Sequence, residues 1–572
     1  MVERPAALRT EVRRFGDEEI EVIYRKANSP KELPQIFPPF APSAKVEDGV
    51  LMERDVAVRL RDGTTIYVDC FRPDGATNVP AIIAWSSPGK NYTFVTRGGT
   101  GGVVPEGAVS AMAKQEGPDP GYWCHHGYAV INPDPRGVGN SEGDIQFFNQ
   151  TEFQDCYDLI EWSAAQPWCN GKVAMHGTAF AGIMSWFLAA MRPPHLACIA
   201  PWEAFYDIYR GVVSRGGMLD VEVNEHVLSR LRGNGGVEDI VAMARRYPLM
   251  NGYWEEKIAR LESIEIPVYV TANCNMFHQM GMDAYRRLPG PRKWLRTHVS
   301  ISWRDLYSPE NLEDLKRFFD RYLKRIHNGW EFTPPLRVSV YDSAGPVINR
   351  TEKEWPLART QHQKLFLDAA KGALFTSPVS AEAVARYKAD GTGEAAFTFT
   401  FDKDTELMGY GKLRLWVEAD GSDDMDLFVA LERLDARGAP LAVPWFGRPH
   451  GGMSGVLRVS HRELDETRST DAEPYLKHRR LMTLKPKDVV PVDIPLYPFS
   501  YIWRAGEQLR VVVTDSPHRA VGHGSTNVPR RPWDSVNRGD HIIHSGGRYD
   551  SHLVVPVVPP AQGETGRRSV RT

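Results

Sequence analysis

From Val56 to Leu323 the chain alternates continuously apolar runs with stretches of helical spacing, and this constrains the fold more than any other feature. VPAIIAW (79–85) shows no polar alternation, as expected of a strand covered on both faces. GYAVINPDPRG, KVAMHG, IPVYVTA (266–272) and KWLRTH (293–298) repeat the theme. Between them, Phe153, Tyr157 and Ile160 fall at helical spacing, and GIMSWFLAAM reads as an apolar helix ended by Pro193-Pro194. A further helix is well signed: Ser308 can cap it, Pro309 suits its first position, and Leu312, Leu315, Phe318, Phe319, Tyr322 and Leu323 share one face. Strands alternating with helices predict a mostly parallel sheet with helices on both faces. A hairpin turning at Arg61-Asp62-Gly63 precedes it.

At 572 residues the chain exceeds what one core supports. Residues 1–50, polar and dotted with proline, read as an N-terminal arm over a later domain. The α/β part occupies 51–204 and 263–327. Residues 205–262 break the alternation with polar helices and read as a helical cap insertion. The stretch 91–120, with RGGTGG and GPDPG, suits an excursive loop. From 328 to 572 short alternating strands such as PPLRVSVYD, KLRLWVEAD and QLRVVVTD predict an all-β domain, a sandwich or jelly roll.

The net charge of −3 gives no electrostatic case for nucleic acid or an anionic membrane. No apolar run approaches the roughly 20 residues that span a bilayer. The charged start MVERPAALRTEVRRFGDEE has no signal-like stretch, so a cytoplasmic address is expected. Cys70, Cys124, Cys156, Cys169, Cys198 and Cys274 are scattered and read as buried thiols. Cys124-His125-His126 lacks further ligand spacing, so no metal is expected there. RGGTGG is followed by no Lys-Ser/Thr and is not a phosphate loop. No cofactor is expected. The expected partner is a small-molecule substrate, and the large β-domain offers surfaces for a homodimer.

The segment richest in chemistry is Gly177-Thr178-Ala179-Phe180-Ala181-Gly182, between a strand and a helix. A glycine-x-serine-x-glycine turn there forms a nucleophile elbow, which needs small neighbours. Gly177, Ala181 and Gly182 supply them, yet Ala179 has no hydroxyl. RDGTTIYVDCFRP, GYAVINPDPRGVGNSEG, EWSAAQPWCNGKVAMHG, HLACIAPWEAFYDIYR, LEDLKRFFDRYLK and HIIHSGGRYDSHLVVPVVP occur in this order over roughly residues 50–560. In these motifs the chain resembles the cocaine-esterase and X-Pro dipeptidyl-peptidase (CocE/NonD-like) α/β-hydrolases. The resemblance implies an α/β-hydrolase domain with a helical cap, a C-terminal jelly roll, and cleavage of esters or amides by a Ser–His–Asp triad. It places the serine on Ala179, the histidine on His298 and the acid at or near Asn275. The amide of Phe180 would serve the oxyanion. The family's oxyanion tyrosine is missing from Ser86-Ser87-Pro88-Gly89-Lys90, and Tyr92 lies close enough in sequence to substitute.

Several other residues weigh in. Pro88, His278, Trp202 and Phe277 are expected near the pocket, His278 as a second proton-transfer group or an orienting one. His176 reads as core, and Asp134, Arg136 and Glu142 as a structural charge network. Without a hydroxyl Ala179 forms no acyl-enzyme, and Asn275 does not stabilise an imidazolium. Three functions fit: an ester or amide hydrolase whose nucleophile was replaced by alanine, a natural catalyst repurposed for proton-transfer, lyase or cyclase chemistry through His298 and the oxyanion pocket, or a non-catalytic ligand-binding protein.

Overall fold

The computed structural model describes residues 7–86, 88–93, 103–274, 280–441, 444–445, 448–449, 453–517 and 533–560. Its organising element is an open sheet built from β1 (Val50–Arg59), β2 (Thr65–Pro73), β3 (Val79–Ile83), β4 (Ala129–Asp134), β5 (Cys169–Thr178), β6 (Leu196–Trp202), β7 (Val268–Asn273), β8 (Lys293–His298) and β9 (Leu336–Asp342). Register pairings give the order β1-β2-β4-β3-β5-β6-β7-β8-β9. β2 runs antiparallel to its neighbours, and β4 through β9 are parallel.

The apolar runs of the sequence become β3, β4, β5, β6 and β7, each buried along most of its length because helices cover both faces. On one face Val173 and Met175 pack with α1 (Gln150–Ala164) and α2 (Phe180–Met191). On the other, Ala174, Ala200 and Tyr269 pack against α3 (Pro309–Leu323). α3 begins as its sequence predicts. Ser308 caps the Asn311 amide at 3.3 Å, Pro309 opens the first turn, and Leu312, Leu315, Phe318, Phe319 and Leu323 are buried.

Between β6 and β7 the chain makes an excursion containing the helices Val221–Arg230, Ile240–Arg246 and Gly252–Glu255. The first residues do more than lie over a surface. Strands Ala7–Phe15 and Glu18–Lys26 form a hairpin, and the second pairs with Gly236–Glu238 of the excursion as a 3-stranded sheet. Ile20, Val22 and Tyr24 thereby enter the main core.

The C-terminal part is a β-sandwich with its own core, including Leu365, Leu413, Leu427, Ile494, Val511 and Leu553. The long strand Thr405–Asp420 pairs with Val490–Trp503 on one side, and with His552–Val557 and Asp540–Ser545 on the other. Asp426–Leu434 and Gln508–Thr514 centre the facing sheet. The two parts are joined directly, since the end of β9 pairs with Tyr501 and Ile502. Among the described residues no helix is long and apolar enough to cross a membrane.

Candidate active site

In an open parallel sheet, binding sites form at the carboxyl ends of the strands. Here Thr178 pairs with Trp202, Trp202 with Thr271, and Asn273 with His298. The residues that follow β5, β6 and β7, and the last residue of β8, therefore share one edge.

Ala179 sits between β5 and α2 with φ +50° and ψ −123°, a conformation that costs a non-glycine residue on the order of 1–3 kcal/mol. Its neighbours explain why the turn is this tight. A Cβ on Gly177 would lie 2.6 Å from the Ala181 Cβ, and one on Gly182 would lie 2.6 Å from the Gly177 carbonyl oxygen. The Ala179 amide donates to the Trp202 carbonyl at 2.9 Å and the Thr178 amide to that of Glu116 at 2.9 Å, pinning the turn from both sides. Phe180 supplies the first amide of α2, where backbone N–H groups have no intrahelical acceptor.

His298 is buried at the end of β8. Its Nε2 lies 3.0 Å from Oε1 of Glu203 and 3.7 Å from Oδ2 of Asp305. Glu203, the residue after β6, is itself buried at φ +48°. Its amide donates to the Thr271 carbonyl at 3.0 Å, and its carboxylate accepts from Ser302 Oγ at 2.8 Å. Asp305 is held differently, in a two-pronged pair with Arg296 at 2.7 and 2.6 Å. Burial opposes the imidazolium, but the Asp305 and Glu203 carboxylates outweigh it and hold the His298 pKa above its ordinary value.

Glu203 is a functional candidate that no local sequence pattern marks; it stands beside Trp202 within the PWEAFY stretch. Trp202 itself is corrected: it is 1% exposed, edge-on to His176 and Tyr269, with Arg296 over its ring at 5.1 Å. It belongs to the core beneath the sheet, because the side chain before Glu203 points to the α3 face. Asn275, Phe277 and His278 lie outside the described residues. Tyr92 is half-buried against the main core, with the Arg230 guanidinium 5.6 Å from its ring centre.

Pro88 sits in the turn after β3, and that turn is anchored from below. The Lys90 amide donates to Asp134 at 2.7 Å, and Lys90 Nζ bridges Asp55 and Asp69 at 2.6 Å each. A Cβ on Gly89 would meet Asp134 at 2.6 Å, so this close approach requires glycine. Burial raises the Asp134 carboxyl to about 6 and lowers the Lys114 ammonium, which donates to the Ala84 carbonyl, to about 7. Arg136 pairs with Asp155 and Asp62, and Glu142 accepts from the Thr65 amide. His176 is core, its Nδ1 2.8 Å from the Ala200 carbonyl, and burial pushes it down to about 4. His125 and His126 each face a carbonyl of their own short helix. Among the described residues no group of three or more His, Cys, Asp or Glu could hold a metal.

An open β1-β2-β4-β3-β5-β6-β7-β8 sheet, a strained strand-to-helix turn after β5 and a buried histidine ending β8 are the marks of an α/β-hydrolase. Known proteins narrow the class. The X-Pro dipeptidyl-peptidase (S15 family) pattern matches residues 62–295, and the X-Pro dipeptidyl-peptidase C-terminal non-catalytic domain matches 328–554. A CocE/NonD family hydrolase from Staphylococcus aureus superposes with a TM-score of 0.83 at 32% identity, over 91% of this chain and 99% of that one. The chain belongs to the CocE/NonD family of α/β-hydrolases. Cocaine esterase of Rhodococcus sp. (strain MB1 Bresler) is 23% identical over 90% of this chain and all of its own length. An α-amino acid ester hydrolase shares the fold at 16% identity, with a TM-score of 0.64.

Proposed function

We propose that this chain carries the pocket of an ester or amide hydrolase for a small molecule, with residue 179 at the nucleophile position and His298 as the base. The excursion 205–262 is its cap, and the Phe180 amide is its surviving oxyanion donor. The observation that carries this is the backbone of Ala179. Its φ of +50° is costly, and at a strand-to-helix turn flanked by small residues it is the conformation a nucleophile elbow uses. With alanine there no acyl-enzyme forms, so the chain as it stands binds such substrates without turning them over.

The test is Ala179→Ser, assayed with p-nitrophenyl esters and aminoacyl anilides. A burst of product equal to the enzyme present, followed by turnover, is the expected result. An Ala179→Ser protein that folds as the parent does and cleaves none of these substrates sinks the proposal. The Glu203 and Asp305 carboxylates favour a second function. They support an imidazolium without any nucleophile, which suits proton-transfer chemistry on a carbonyl compound. For that function the unaltered chain exchanges α-protons of a bound ketone or ester with D2O, and His298→Ala does not.

A further inference from the structure

We infer that Glu203 is the carboxylate that orients His298 and stabilises its charged form, a role that the residue at the family's acid position, Asn275, does not fill. The inference rests on His298 being the base of the proposed reaction.

Four observations support it. The carboxylate is at hydrogen-bonding range of the ring, 3.0 Å from Nε2. It is buried and fixed, with Ser302 Oγ at 2.8 Å on its other oxygen. Its backbone is held at φ +48° just past the end of β6, a strained setting that non-glycine residues keep where the surroundings demand it. Finally, its competitor is already occupied: Asp305 is farther away, at 3.7 Å, and clamped by both prongs of Arg296.

The topology also suits the role. The Ala179 amide bonds to the Trp202 carbonyl, so Glu203 follows the residue that pins the elbow. In the order β5-β6-β7-β8, sheet pairing brings the elbow, Glu203 and His298 to the same carboxyl-end edge. Both ring nitrogens of His298 are buried, and the Nε2–Glu203 contact at 3.0 Å is the shortest the ring makes to a carboxylate among the described residues. Glu203 is therefore a positioning residue that acts through His298.

The test separates this role from the hydrolase proposal by reading the histidine directly. In 15N-histidine-labelled full-length protein, with His298→Ala identifying the resonance, Glu203→Gln is expected to lower the His298 pKa by about one unit or more. Glu203→Asp should keep most of the shift, and Asp305→Asn should move it less than Glu203→Gln does. In the Ala179→Ser background, Glu203→Gln should cut kcat about 10³-fold and shift the acidic limb of the kcat/KM profile downward, and Glu203→Asp should recover most of the rate. An inactive Ala179→Ser protein with the shift intact defeats the hydrolase proposal and leaves the Glu203–His298 pairing standing. A His298 titration unmoved by Glu203→Gln, or moved more by Asp305→Asn, overturns the inference whatever the activity. Should Glu203→Gln fail to fold, Ser302→Ala, which frees the carboxylate from its second partner, must alter the His298 titration for the inference to survive.

Discussion

Ala179 holds a backbone conformation that alanine disfavours, and nothing about its own side chain requires it. The strain comes from its surroundings: the Trp202 carbonyl on its amide and the Gly177–Gly182 contact beneath it. Ala179→Gly should therefore raise stability by about 1 kcal/mol in urea denaturation, since glycine relieves the strain and loses part of that gain to its freer unfolded chain. Gly177→Ala should do the opposite, lowering stability by about 1–3 kcal/mol or more, because its Cβ would press to 2.6 Å on the Ala181 Cβ. The tight turn at Ala179 was legible because such a turn selects small residues that are neighbours in sequence. The His298 position was legible from family resemblance at the end of an apolar strand. Glu203 was not, because its meaning lies in a histidine brought across two strands by sheet order, and no local pattern records that. Trp202 misled for a related reason: on a strand covered on both faces, no polar alternation marks which side chains look toward the pocket.

Among the elements, the N-terminal hairpin and the excursion after β6 are tied by one buried cluster. Lys257 Nζ donates to Glu238 at 2.8 Å, and Tyr253 donates to the same oxygen at 2.6 Å. Asn149 donates to the other oxygen at 2.7 Å, and Arg13 of the hairpin approaches it at 3.6 Å. Burial alone would push the Glu238 carboxyl up; Lys257, Arg13 and these hydrogen bonds outweigh it and hold it below the ordinary range. Removing one partner of such a pair strands a charge, so Lys257→Met should cost about 3–5 kcal/mol. It should also expose the hairpin 7–26 to trypsin ahead of the rest of the chain. Unchanged stability and an unchanged digestion pattern would count against this account of how the hairpin is held. α3 could be read from its cap, its proline and its apolar face because all three signals are local. The hairpin is visible in the sequence only as a polar arm, since it pairs with Gly236–Glu238, far along the chain.

At the scale of the whole molecule, the change from α/β alternation to short alternating strands marked the two parts, but not how they meet. Besides the pairing at β9, they meet through the excursion and the helix Met280–Arg287. The Gly216 carbonyl accepts from the Arg458 amide at 2.8 Å, Met218 packs with Phe428, Val456 and Trp533, and Arg286 pairs with Glu473 at 2.6 Å. At the centre of this junction two buried histidines face each other, His461 Nδ1 to His478 Nδ1 at 3.0 Å. A Cβ on Gly217 would fall within the His461 ring contact at 2.4 Å, and Tyr209 stands edge-on to His478. One imidazole donates and the other accepts, so the pair holds at most one proton beyond neutrality and breaks when both rings are charged. Burial, reinforced by the Arg458 charge and only partly offset by Asp426, pushes His461 down to about 4, and burial with Arg210 lowers His478 as well. The sign follows from linkage. Between pH 6.5 and 4 the unfolded histidine takes a proton that the folded one refuses, so stability is full above 6.5 and falls as the pH drops toward 4. For His461 the loss is about 3 kcal/mol over that window. Urea midpoints measured at pH 7 and pH 4.5 should thus separate more for the parent than for His461→Gln, whose side chain does not titrate. Because the pair lies between the two parts, the acid-weakened protein should first lose contact between sandwich and excursion, seen as earlier protease cutting near 209–219 than within either core. Equal pH dependence in the parent and His461→Gln would place the acid sensitivity elsewhere.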